Sequence, residues 1–122
     1  MTNFPQLDIP NASSNVRMLP TKVIGAAAAG SFYLPPNAVL REIIVKETAG
    51  NAVTGGLKFG TTSGATDVAA ALAVGASAFA FLTDALMLKR TFSSTAPQQI
   101  FFDAVAAWNS AVVNITAVYY QL

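Results

Sequence analysis

The sequence predicts an all-β protein, a β-sandwich of jelly-roll type behind an extended N-terminal arm. Three observations carry this. About eight short stretches alternate apolar and polar residues at 8–12-residue spacing. Turn chemistry separates them: Pro35-Pro36, Gly50-Asn51, Gly55-Gly56 and Trp108-Asn109-Ser110. No internal repeat is visible, and only one stretch invites a short helix. The domain reading is an arm over 1–15 and a single sandwich domain over 16–122.

Taken in order, residues 1–15 have no usable period, and Pro5 and Pro10 block a regular helix. Phe4, Leu7 and Ile9 are the arm's apolar anchors, suited to docking on a neighbour. Residues 16–24 predict strand, broken at Pro20. Gly30–Leu34 is a strand stopped by Pro35-Pro36. Val39–Thr48 is the clearest strand, β-branched at Ile43, Ile44 and Val45. Residues 49–56 read as a turn, and Leu57–Gly60 as the returning strand. Thr61–Thr66 is a polar turn.

The alanine-rich run is ambiguous. Residues 68–74 fit a short helix with Asp67 near its N-terminus, or a strand. Beyond Gly75 the period is two: Phe79 and Phe81 share one face, Ala78, Ala80 and Leu82 the other. Residues 77–82 therefore read as strand, continued over Met87–Phe92. Gln99–Val105 alternates again. Val112–Leu122 closes the chain, with Val113, Ile115, Ala117 and Tyr119 opposite Asn114, Thr116, Val118 and Tyr120.

The chemistry is narrowed by what is missing. The 122 residues contain no histidine and no cysteine. A Ser-His-Asp triad is excluded, as are cysteine nucleophiles, disulfides and soft-metal sites. Six carboxylates remain: Asp8, Glu42, Glu47, Asp67, Asp84 and Asp103. Glu42 and Glu47 stand an odd number of residues apart, so one regular strand sends them to opposite faces. They read as solvated or capping groups rather than a glycosidase pair. Asp67 and Asp84 lack the Asp-x-Asp-x-Asp spacing of a calcium loop. Gly55-Gly-Leu-Lys-Phe-Gly60 is no phosphate loop, because Lys58 sits in an alternating strand. No catalytic residue, cofactor or metal site is expected.

Charge is sparse. Charged residues are 11% of the chain, against about 25% in an average soluble domain. On a folded surface of roughly 6,200 Å² that is about one charge per 480 Å². So thin a coat suits a surface covered by other subunits. The net charge of +1 and the dispersed basic residues make no case for nucleic acid. The uncharged core-like run 68–83 is too short for a membrane span. Residues 1–15 lack the basic and apolar regions of a signal peptide, so synthesis in the cytoplasm is expected. Of the aromatics, Trp108, in a turn-like setting beside Asn109, is the candidate surface anchor.

Glu47-Thr-Ala-Gly-Asn-Ala52, Gly55-Gly-Leu-Lys-Phe-Gly-Thr-Thr62, Thr66-Asp-Val68, Leu88-Lys-Arg90 and Ala107-Trp-Asn-Ser110 together resemble small virion proteins of tailed bacteriophages. The likeness covers roughly residues 34–122 and is most similar to capsid cement, or decoration, proteins. It implies a structural role on the outer capsid surface, a homotrimer, and major capsid protein as partner. It implies no catalytic residues, no nucleic acid and no membrane. The partner-binding candidates are Phe4, Leu7, Ile9 and Trp108. The alternative reading is a receptor- or carbohydrate-binding tip of a phage tail fibre, also trimeric.

Overall fold

Among the described residues, eight strands and no helix follow one another along the chain. The computed structural model describes the backbone of residues 17–92 and 95–121, with side chains from residue 25 onward. The strands are β1 (Arg17–Ala26), β2 (Gly30–Leu34), β3 (Ala38–Glu47), β4 (Val53–Gly60), β5 (Ala69–Val74), β6 (Phe79–Thr83), β7 (Gln98–Ala104) and β8 (Val113–Gln121).

They form two antiparallel four-stranded sheets, ordered β1-β8-β3-β6 and β2-β7-β4-β5. The pairing has a simple rule. β1 lies beside β8, β2 beside β7, β3 beside β6 and β4 beside β5. A long ribbon of four nested strand pairs has thus been wound so that successive pairs fall in alternate sheets. β3·β8 and β4·β7 contacts complete each sheet. This is the jelly-roll sandwich that the spacing of strands and turns predicted.

Alternation decides what goes inside. From the first sheet come Leu40, Ile43 and Val45 of β3, Ala80 and Leu82 of β6, and Val113, Ile115, Ala117 and Tyr119 of β8. From the second come Phe32 and Leu34, Leu57 and Phe59, Leu72 and Val74, and Ile100 and Phe102. These two apolar faces meet as the core. Phe59, the largest fully buried side chain among the described residues, lies in the middle strand region of its sheet. Truncating such a side chain costs about 3–5 kcal/mol through lost transfer energy and the cavity left behind.

Four sequence expectations need correction. The helix alternative for 68–74 gives way to strand β5: its Ala69, Leu72 and Val74 are buried and paired to β4, so sheet packing overrides alanine's helix propensity. The turn assigned to 49–56 is shorter, because β4 already starts at Val53. Gly55 and Gly56 are inside it at φ +80° and +83°, forming an irregularity between the Val53↔Val74 and Leu57↔Leu72 pairs. Met87–Phe92 is no strand; it makes one isolated bridge, Thr91 to Val39, and Met87 turns inward. Finally, β1 runs on through Pro20, with a register shift between Pro20 and Val23. β1 is an edge strand, where a missing N–H is tolerated.

Candidate interaction surface

Three connections meet at one end of the sandwich, held by one buried carboxylate. Glu47, the last residue of β3, has no exposed surface. Its Oε1 accepts the backbone N–H groups of Gly50 (2.8 Å), Asn51 (3.0 Å) and Ser77 (2.8 Å). Its Oε2 accepts those of Ala49 (2.8 Å) and Val112 (3.1 Å). Burial pushes the carboxyl up, but the N–H groups of Ser77, Val112, Ala49 and Gly50 outweigh it and hold the pKa at about 2 instead of 4.5. The odd spacing places Glu42 on the opposite face, as expected. The sequence reading of Glu47 as a solvated or capping group was half right: it caps, from inside.

The remaining carboxylates are committed to local structure. Asp67 accepts the Thr61 hydroxyl at 2.6 Å and the Thr61 N–H at 2.8 Å. The hydroxyl bond leads in holding its pKa below the usual range, against a smaller opposing effect of burial. Asp84 lies 3.5 Å from Arg41 and 3.9 Å from Arg90, an exposed ion-pair cluster worth about 0–1 kcal/mol. Asp103 Oδ1 accepts the Trp108 indole N–H at 2.9 Å and the Ala104 N–H at 2.7 Å. Among the described residues, no group of three or more acidic side chains is placed to hold a metal ion. Nor does any described helix reach the length and apolarity needed to cross a membrane.

Two recesses mark the outer surface of the second sheet. One, of about 180 Å³, is lined by Gly30, Ser31, Ser63, Gly64, Phe101 and Asp103. The other, of about 390 Å³, lies where Gly55 and Gly56 of β4 face Ala71 and Ala73 of β5. The second is lined by small apolar residues, and the Asp103 carboxylate beside the first is already engaged by Trp108 and Ala104.

Exposed apolar side chains concentrate elsewhere. Phe79 (60% exposed), Phe81 (50%), Leu86 (59%) and Leu88 (70%) come from one ten-residue stretch. That stretch forms the outer edge of the first sheet. β6 pairs with β3 from Lys46↔Phe79 to Glu42↔Thr83. The chain then leaves the sheet through a turn at 84–86 and drops Met87 into the core. The Leu88 N–H reaches the Val68 carbonyl of the opposite layer at 2.8 Å. It returns to β3 at Arg90, whose carbonyl accepts the Leu40 N–H at 2.8 Å. The Phe79 and Phe81 rings stack with centroids 6.0 Å apart, and Lys46 Nζ lies 4.7 Å from the Phe79 centroid.

Of the sequence-predicted partner residues, Phe4, Leu7 and Ile9 lie outside the described residues. Trp108 is half-buried and packs against the core, with its N–H engaged by Asp103. Phe79 and Phe81 were not singled out as surface groups. The signal was present: the period of two set them apart from Ala80 and Leu82, and one of the two faces had to be outside.

No known protein family matches the chain, and no curated protein matches it. Among solved structures, a chain of the Cyanophage Pam1 capsid asymmetric unit is similar at 20% identity and a TM-score of 0.47, over 88% of this chain and 86% of that one.

Proposed function

We propose that this chain is a structural virion protein of a tailed bacteriophage, a capsid cement protein that clamps neighbouring major capsid subunits on the outer shell. The observation that carries the reading is the exposed apolar edge Phe79–Leu88 in a chain only 11% charged. Surface of that kind is stable in water chiefly when another protein covers it. The resemblance of residues 34–122 to virion proteins supplies the kind of partner.

The role is mechanical rather than catalytic. The arm residues Phe4, Leu7 and Ile9, with Leu86 and Leu88 of the edge, bury against major capsid protein. Sister subunits bury against each other, with the homotrimer as the unit that the resemblance implies. A standard interface of about 1,600 Å² in total would suffice for each stable contact.

The test is cosedimentation of the purified chain with expanded capsids, together with its association state by light scattering. Saturable binding at a fixed copy number per capsid subunit is expected, lost when Phe4, Leu7 and Ile9 are changed together to serine. A monodisperse monomer at micromolar concentration that leaves capsids unbound would overturn the reading.

A further inference from the structure

Among the described residues, β6 has one bonded side and one open side. The Glu47 N–H donates to the Ala78 carbonyl at 3.0 Å. In the antiparallel register of β3 and β6, this directs the backbone groups of Ala80 and Leu82 toward β3. Those of Phe79, Phe81 and Thr83 therefore point away from the sheet. Among the described residues, nothing bonds the N–H or carbonyl of Phe79 or Phe81; the Thr83 carbonyl accepts the Leu86 N–H at 3.0 Å and keeps a second lone pair. The usual protections of a free edge are missing too. Phe79-Ala-Phe-Leu-Thr83 contains no proline, no lysine and no charge.

We infer that β6 pairs with β6 of a second copy, antiparallel, about a two-fold axis at Phe81. Three features select this occupant and this register. First, β6 is five residues long with Phe81 at its centre. Pairing Phe81 with its own counterpart, and Phe79 with Thr83, uses every outward-facing backbone group of both strands. Centring on Phe79 or Thr83 would leave groups at the ends unpaired.

Second, the outer-face side chains match across the axis. The register with β3 forms rows Ile44–Phe81 and Glu42–Thr83, beside Lys46–Phe79. The two-fold extends the first into Ile44–Phe81–Phe81–Ile44, an all-apolar centre. It extends the second into Glu42–Thr83–Phe79–Lys46, acidic at one end and basic at the other. Third, the four rings come together as one strip, since Phe79 and Phe81 already stack within each copy. Aromatic cross-strand pairs are among the favourable ones.

Such a contact is isologous. It coexists with a three-fold contact elsewhere and would then link one trimer to the next. It stands on β6 and β3 alone and holds whether or not the protein binds capsids.

The chain has no cysteine, so single cysteines report the contact cleanly. Under mild oxidation the full chain carrying Phe81→Cys should form a disulfide dimer on a non-reducing gel. A mixture of Phe79→Cys and Thr83→Cys chains should give the mixed dimer, while Phe79→Cys alone should not. Adding Phe81→Glu to both chains of that mixture sets two carboxylates opposite each other and should slow cross-linking about tenfold. Ala71→Cys, exposed on β5, is the collision control. The inference is overturned if Phe81→Cys cross-links no faster than Ala71→Cys, or if Phe79→Cys dimerises by itself. It is also overturned if Phe81→Cys cross-links only after residues 1–16 are removed, which would make the arm the occupant of the edge.

Discussion

The Glu47 carboxylate and the Ser77 N–H, thirty positions apart in the chain, are joined by a 2.8 Å hydrogen bond that ties the end of β3 to the β5–β6 turn. Four more backbone N–H groups converge on the same side chain. Replacing Glu47 with alanine leaves five donors without their acceptor. The melting midpoint should fall by on the order of 10 °C or more, read by circular dichroism. Glu47→Gln should not rescue it. Whichever way the amide is turned, its NH₂ faces at least two backbone N–H groups, donor against donor.

The same carboxylate makes the stability of the fold depend on pH in the acid range. Its folded pKa of about 2 lies below the ordinary 4.5, so the unfolded chain binds the proton more readily. The stabilisation from Glu47 is complete above about pH 4.5 and drains away as pH falls toward about 2. Urea midpoints measured across that window should drop steadily for the wild type. The Glu47→Gln profile should be flatter, starting from a lower plateau.

Gly56 occupies a site closed to other residues for two reasons. Its φ is +83°, and an added Cβ would stand 2.5 Å from the Leu72 carbonyl oxygen of β5. The nearest atoms are all backbone of Leu72 and Ala73, so no flexible group is there to yield. Gly56→Ala should cost about 3 kcal/mol or more in denaturant unfolding. Gly64→Ala makes the comparison, since it has positive φ and open space around it; a cost of about 1 kcal/mol is expected there.

Trp108 packs on the core while its indole N–H bonds Asp103. Trp108→Phe keeps most of the ring and drops the bond, for a loss of about 1 kcal/mol. Trp108→Ala loses both, for about 2–4 kcal/mol. If Trp108 were instead a glycan-binding shelf, Trp108→Ala would abolish retention on a glycan column at unchanged stability. The paired measurements separate the two roles.

The sequence carried the strands well where one face is buried and the other wet. Val113–Tyr119 and Ile100–Ala104 alternate in the order that the two sheets use them. It carried them poorly where small residues remove the contrast. Ala69–Val74 has no polar side at all, and only β4 beside it makes it a strand. Gly55-Gly56 reads as punctuation because nothing local says that the strand resumes around it. Phe79 and Phe81 posed the opposite difficulty: the period was visible, but hydrophobicity alone pointed both faces inward. Glu47 was legible only as a solvated or capping group. Its bonds to Ser77 and Val112 depend on loops that only the folded topology brings together.

The nesting of strand pairs has a consequence for how the chain is made. Arg17 pairs with Gln121, and Ala26 with Val113, so among the described residues β1 finds its sheet neighbour in β8, some hundred positions further along the chain. β4 and β5 meet across a short turn and can pair early, whereas β1 has to wait for roughly 100 residues to follow it off the ribosome. At translation rates of about 5–20 residues per second that is on the order of 5–20 s. Pairing of so non-local a kind is also slow to search. Closure from the innermost pair outward makes β1 a strand in waiting, and a nascent chain cut short before β8 has nowhere to put it.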